Sequence, residues 1–323
     1  MSTVCVVGAG IAGTACARAL SAAGEDVVVL DRGRVPGGRM ASRRLPGDAG
    51  GRYVDLGASY FTVRDDRFRA QVDDWTARGL ARAWTDTFTV LPSGERKTGP
   101  VRYGARGGLR SLVADLASGL DVRQETHVQA VGPGPTVDGA AYDAVVLAMP
   151  DPQALAVLDP SLAQERAALA DREWQPVLAL AAVFDQRRWD LDGAFVHDDD
   201  VLDWVADDGR RRGDDAPVLV AHSTPAFAAP RLADPQAAGP DLVTALRRLL
   251  DLPEPSTSFV QRWTFAKPVG ERDAPCFLGD AGVGLCGDGW GASKVEAAYL
   301  SGLSVAERLL ARRPGGGPAV GGS

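Results

Sequence analysis

Thr3-Val4-Cys5-Val6-Val7-Gly8-Ala9-Gly10-Ile11-Ala12-Gly13 stands at the head of the chain. An Ala- and Leu-rich run without proline follows to Ala23, and then Val27-Val28-Val29-Leu30-Asp31. Thr3 to Gly8 reads as a short apolar strand. Gly8, Gly10 and Gly13 fall in the pattern G-x-G-x-x-G, Ile11 to Ala23 reads as a helix, and Val27 to Leu30 reads as a second strand ending on an acid. This is the strand–turn–helix–strand–acid unit that dinucleotide binding needs. The first glycine makes the tight turn, the second lets the backbone approach a pyrophosphate, and the third lets helix pack on strand. The helix start then offers free N–H groups and a favourable dipole to phosphates. Asp31 is placed to accept hydrogen bonds from a ribose diol.

Downstream residues select the dinucleotide. Pro36-Gly37-Gly38-Arg39-Met40 comes directly after the acid, and Asp55-Leu56-Gly57-Ala58-Ser59-Tyr60-Phe61 soon after that. A nicotinamide dehydrogenase needs no second Gly-Gly-Arg turn there. FAD does, because the chain must follow it past the pyrophosphate to the isoalloxazine.

The 323 residues are 45% hydrophobic, enough for a large core in about two domains. A net charge of -7 argues against a nucleic-acid partner. No apolar run is long enough to span a bilayer. The N-terminal apolar segment lacks the basic start of a signal peptide, so a cytoplasmic location is expected. Cys5, Cys16, Cys276 and Cys286 show no C-x-x-C spacing, and His127, His197 and His222 give no metal signature. No metal is expected.

Further along, Arg64 to Arg82 reads as a charged helix with Phe68, Val72 and Trp75 on one face. Trp84 to Val90 and the turn Leu91-Pro92-Ser93-Gly94 suggest a hairpin. Leu109, Leu112, Val113 and Leu116 follow a helical stripe after Gly107-Gly108, with Gly119 as its cap. Asp121 to Val131 is a strand candidate centred on His127-Val128, and Ala144 to Met149 is a buried strand. Val177 to Phe184, Pro217 to His222 and Ser258 to Phe265 read as strands of a second sheet, with a helix from Asp241 to Leu250. Asp198-Asp199-Asp200 and Arg210-Arg211-Arg212 read as solvated loop charges, although the arginines are also a place to meet a phosphate. Gly284 to Cys286, Gly287-Asp288 and a helix from about Ser293 to Arg312 return to nucleotide-fold character.

These residues resemble the FAD-dependent amine oxidase superfamily, and within it the bacterial renalase-like proteins. The stretches that carry the resemblance are Asp55 to Thr62 with Arg64-Asp65, Leu202-Asp203-Trp204, Arg262-Trp263-x-x-Ala266, and Cys286-Gly287-Asp288 with Val295-Glu296-x-Ala298-x-Leu300-Ser301-Gly302. Ser59 departs from the Gln that renalase-like proteins often carry. The resemblance implies an α/β fold of amine-oxidase-like architecture: a discontinuous Rossmann-like FAD-binding domain with a second sheet-based substrate domain. Residues 1–82, 100–155 and 270–312 are expected in the first and 83–99 and 156–269 in the second, with a disordered tail at 313–323.

The same resemblance implies one non-covalent FAD. Its adenosine end is expected on Gly8, Gly10, Ile11, Ala12, Gly13, Asp31 and Arg32, with backbone help from Val128. Gly38, Arg39 and Met40 would follow the pyrophosphate and ribityl chain, with Arg39 a donor to phosphate. Ala58, Ser59 and Tyr60 would border the ring. Gly287 and Asp288 would meet the ribityl side, chosen over the pair Gly279-Asp280. The helix from Val295 would point its start at the N1/O2 edge, where a reduced flavin is anionic.

The implied activity is oxidation of the 2- and 6-dihydro isomers of NAD(P)H to NAD(P)+, with electrons passed to O2. Hydride loss makes an aromatic ring, so geometry carries most of the chemistry. His222 is a candidate to hydrogen-bond a substrate amide or phosphate, or else a satisfied structural residue. Lys267 either holds a water against flavin N5 or forms a surface ion pair. Tyr60 and Trp290 are candidate walls for a flat substrate, or core aromatics. Two other readings stay open: an amine oxidase or desaturase acting on a secondary metabolite, and a flavin-binding module without turnover. Oligomeric state is not legible.

Overall fold

A run of Val and Cys with hardly a polar residue is the pattern of a parallel strand covered on both faces, and Thr3–Val7 occupies that place. The computed structural model of the chain describes residues 2–45 and 51–312; the tail expected at 313–323 lies outside them. The described residues divide into two compact units. One is drawn from residues 2–36, 116–172 and 270–312, the other from 37–45, 51–115 and 173–269.

In the first unit Thr3–Val7 pairs in parallel with Asp26–Leu30 on one side and Ala144–Leu147 on the other. Among the described residues, Asp121–Arg123, Val283–Leu285 and the antiparallel Phe277–Leu278 complete a six-stranded sheet. The helix Ile11–Ala22 follows the first strand, and the closing helix Val295–Ala311 packs on it. They meet closely because residue 302 is glycine: a β-carbon there would lie 2.1 Å from the Ala12 carbonyl oxygen. Val7, Val145, Leu147 and Leu285 form a core with Leu158, Leu162 and Leu169.

The strand expected from Asp121 to Val131 stops at Arg123. Glu125 takes a left-handed φ of 53°, its N–H donates to the Gly33 carbonyl, and Thr126 N–H donates to Asp31. The chain therefore turns out of the sheet, and His127 and Val128 lie in irregular backbone.

The second unit is built on a seven-stranded sheet in the order Thr257–Pro268, Trp174–Val183, Val218–Ser223, Leu202–Asp207, Gly193–Val196, Ala81–Leu91, Glu95–Ala105. Alternation sorts its side chains. Leu178, Leu180, Leu219 and Ala221 pack with Leu242, Ala245 and Leu246 of the helix Gly239–Leu250. Ala179, Ala181, Val218 and Val220 turn the other way, onto Leu45, Val54 and Leu56. The helix Asp66–Ala77 buries Phe68, Val72 and Trp75, as their spacing requires.

Residues 37–82 and 100–115 cluster with the second unit, whose large sheet the hairpin Ala81–Ala105 extends, and residues 156–172 cluster with the first. The strands Gly193–Val196 and Leu202–Asp207, which the sequence reading leaves unassigned, complete the sheet. One further expectation is corrected here. Arg210-Arg211-Arg212 is no solvated loop: it belongs to the short helix Asp208–Arg212, where Asp208 and Arg211 are fully buried.

Candidate functional site

In the first unit the glycine turn is built as the chemistry of a pyrophosphate requires. Gly8 has φ +116°, and a β-carbon there would lie 2.6 Å from the Ala148 carbonyl oxygen. At Gly13 a β-carbon would come within 1.9 Å of the Gly8 carbonyl oxygen, so strand and helix close only on a hydrogen. Gly10 caps the helix without a side chain. The amides of Ile11, Ala12 and Gly13 thus have no carbonyl one turn back within the helix, and Thr14 is the first to find one, on Gly10. The Asp31 carboxylate accepts from the N–H groups of Ala9 and Gly33, both at 2.6 Å. It orders the turn from both sides. Arg32 is exposed and Val128 half-buried.

The closing segment of that unit is held by arginines. The Gly289 carbonyl accepts from Arg172 and, at 3.2 Å, from Arg272. Arg272 also pairs with buried Asp151 at 2.8 Å and stacks 4.5 Å above Trp290. Gly287, at φ +138°, donates its N–H to Ser301 of the closing helix, and Asp288 is 8% exposed. Val295 is the first residue of that helix, whose Lys294 cap supplies no side-chain hydrogen bond. Trp290 stacks on Phe277 and is 6% exposed, packed against the hydrophobic core.

In the second unit Gly38, Arg39 and Met40 form a single 3-10 turn. Met40 is buried. Arg39 donates to the Ala266 carbonyl at 3.3 Å and lies 5.1 Å above Trp174. The Arg39 carbonyl in turn accepts from Ala58 N–H at 2.8 Å. Gly57 sits against it so closely that a β-carbon would be 1.9 Å away. Trp263 donates to the Leu56 carbonyl at 2.7 Å. Arg211 donates to the carbonyls of Ser59 and Asp55 at 2.7 and 3.0 Å and pairs with Asp208. Asp55 accepts from the Ser42 hydroxyl and from Leu109 N–H. Burial pushes Asp208 up, but Arg211, Arg52 and Arg212 outweigh it and hold the carboxyl below its ordinary range.

Beyond this arc of backbone, residues 55–59, Tyr60 meets Trp84, Phe88 and Trp204 at ring separations of 6.4, 5.3 and 5.7 Å. Arg102 lies 3.8 Å over Phe88 and 5.8 Å from Tyr60. His222 stands opposite Trp204 and Ala179 on neighbouring strands, which puts the three side chains on one sheet face. It is 7% exposed, and its Nε2 has no hydrogen-bond partner. Burial first, then the charges of Lys267 and Arg211, push its pKa down to about 3, so the imidazole is neutral. Lys267 pairs with Asp203 at 3.2 Å. Burial raises Asp203 against that pull.

Residues 6–75 match the family described as NAD(P)-binding Rossmann-like domain, and residues 77–310 match flavin containing amine oxidoreductase. The second match alone covers more than half of the chain. The chain belongs to the flavin-containing amine oxidoreductases. Its cofactor is FAD, and it is an oxidoreductase.

Solved structures agree on the fold of this oxidoreductase. Wild-type putrescine oxidase bound to putrescine superposes with a TM-score of 0.71 at 17% identity over 96% of this chain and 99% of that one. A putrescine oxidase mutant gives 0.75 at 16% identity over 97% and 99%. A CLA-producing fatty acid isomerase from P. acnes gives 0.70 at 12% identity over 95% and 98%. At such identities the likeness is one of fold.

The glycine cradle, with its uncapped helix start, fits a dinucleotide on physical grounds alone. Sequence reasoning missed the support beneath the arc 55–59, namely Arg211, Asp208 and Ser42, and the aromatic partners Trp84 and Phe88. The one available signal was Asp207-Asp208-x-Arg210-Arg211-Arg212 directly after an apolar strand, where acids precede bases at helical spacing. Among the described residues no group of His, Cys, Asp and Glu is placed to hold a metal ion, and no helix is long and apolar enough to cross a membrane.

Proposed function

We propose that this flavin oxidoreductase oxidises the 2- and 6-dihydro isomers of NAD(P)H to NAD(P)+, with O2 taking the electrons to give H2O2. The observation that carries this reading is the buried, neutral imidazole of His222, whose Nε2 has no hydrogen-bond partner. The charges acting on it are already compensated, Lys267 by Asp203 and Arg211 by Asp208. Neither carboxylate is therefore left to receive a cationic amine. The Arg102 guanidinium also lies over the Phe88 ring. A dihydronicotinamide brings a carboxamide for the neutral imidazole.

Non-covalent FAD would be held at its adenosine end by Gly8, Gly10, Ile11, Ala12, Gly13, Asp31, Arg32 and the Val128 backbone. Gly38, Arg39 and Met40, then Ala58, Ser59 and Tyr60, and then Gly287, Asp288 and Val295 would serve its remaining length. When bound, FAD supplies the hydride acceptor. The protein's own part is to fix the donor ring, keep water out and leave the acceptor edge facing a helix start. Tyr60 and Trp204 offer flat apolar walls, and His222 Nε2 a directional hydrogen bond. Because His222 is neutral, it orients substrate without taking up a proton. The free, buried state of all four cysteines supports a reducing, cytoplasmic compartment.

The test is anaerobic mixing of FAD-loaded protein with a mixture of the dihydro isomers, and separately with putrescine and other amines. Rapid bleaching of the flavin band by the isomers and none by amines is the expected result. Bleaching by an amine alone would replace this reading with amine oxidation, and bleaching by neither would leave a binding module.

A further inference from the structure

We propose that Arg211 is a positioning residue that sets the backbone arc 55–60 against the flavin; this rests on the flavin reading above and extends it. Arg211 is 0% exposed. An ion pair with Asp208 would use only one end of its guanidinium. Nη2, which meets Asp208, also donates to the Asp55 carbonyl at 3.0 Å, and Nη1 donates to the Ser59 carbonyl, four residues on, at 2.7 Å. Those two brackets enclose Leu56, Gly57 and Ala58. Leu56 is held from Trp263 and Ala58 from the Arg39 carbonyl, and Gly57 has no room to move toward Arg39.

The anchor of the clamp is fixed as well. Asp208 pairs with Arg52 at 2.8 Å. The backbone of Arg211 is reached by the hairpin only because residue 104 is glycine, where a β-carbon would lie 2.6 Å from the Arg211 carbonyl oxygen. Asp55 is tied by its side chain to Ser42 and Leu109 N–H while its carbonyl is tied to Arg211. A planar fork can serve two carbonyls and a carboxylate at once; an ammonium on a flexible stem cannot hold the same three. The clamp therefore behaves as a template for Ala58, Ser59 and Tyr60, the residues assigned to the ring.

The experiment compares Arg211→Lys with Leu246→Ala, which empties part of the core on the opposite face of the sheet and touches nothing between 55 and 60. For each, FAD content, melting temperature and flavin band shape are recorded, then the anaerobic reduction rate at saturating dihydronicotinamide and its Kd. Arg211→Lys should bind FAD with an altered band, and its reduction rate should fall about tenfold to a hundredfold while Kd moves less than about threefold. Leu246→Ala should lose stability yet keep the wild-type band and rate. If Arg211→Lys keeps both band and rate, or if the two variants lose rate in step with their melting temperatures, the clamp is structural only and the proposal fails. Should Arg211→Lys not fold, Trp263→Phe removes the donor to Leu56 on the same arc and must alter the band and rate in the same way. Wild-type flavin that no dihydro isomer bleaches would sink the substrate assignment by itself. The band comparison needs only FAD and would still decide the role of Arg211.

Discussion

Acidification should destabilise this protein through one buried imidazole before its carboxylates come into play. His222 is 7% exposed and its pKa is depressed from 6.5 to about 3, by burial first and by Lys267 and Arg211 second. Below pH 6.5 the unfolded chain takes up a proton there that the folded chain refuses, so stability rises with pH across the window from about 3 to 6.5 and is lost on the way down. At about 1.4 kcal/mol per pH unit, the loss at pH 5 is on the order of 2 kcal/mol, growing to on the order of 5 near pH 3. Asp203, raised by burial, works in the opposite sense, so the comparison must be a difference between variants. Urea unfolding of wild type and His222→Gln at pH 7.5 and pH 5, both with saturating FAD, isolates the imidazole. Wild type should lose about 2 kcal/mol more than the variant over that interval. Parallel losses would refute the reasoning and mean that His222 is hydrated or charged in the folded state.

Gly13→Ala places a β-carbon 1.9 Å from the Gly8 carbonyl, so the flavin-to-protein ratio of the purified variant should fall far below that of wild type. Arg272→Met strands the buried Asp151 carboxylate and should cost about 3 kcal/mol in urea unfolding, most of it recovered when Asp151→Asn is added. Lys267→Met removes a cation from the neighbourhood of His222 and frees Asp203. The Kd for NAD(P)+, followed by its perturbation of the flavin band, should rise about tenfold. An unchanged Kd would remove Lys267 from the binding site.

The first forty residues were legible because each element there is local: alternating glycine, a proline-free helix and an acid at the right separation need no partner to be recognised. The closing helix was legible for the same reason. What escaped the sequence was charge that is compensated at a distance. Arg211 and Arg212 look solvated in a run of three bases. They are buried because Asp208 and Asp55 come to them, the latter from more than 150 residues away. The strand expected at 127–128 failed because a left-handed Glu125 and a hydrogen bond to Asp31 outcompete β-propensity. His222, Lys267 and Tyr60 could be named from sequence, but that the first two lie close enough to share electrostatics could not. Adjacent strands from distant segments bring them together.

The closing helix Val295–Ala311 leans on Ile11–Ala22 through the gap left by Gly302. During translation the two partners are therefore separated by the long stretch of chain from Ala22 to Val295. A ribosome has emitted the glycine turn long before the helix that covers its back exists, and the nascent chain must carry that apolar flank uncovered until Ala311 has emerged. A stop codon placed anywhere before residue 295 should yield a chain that chaperones retain, and supplying the missing helix as a separate peptide is the natural way to rescue it.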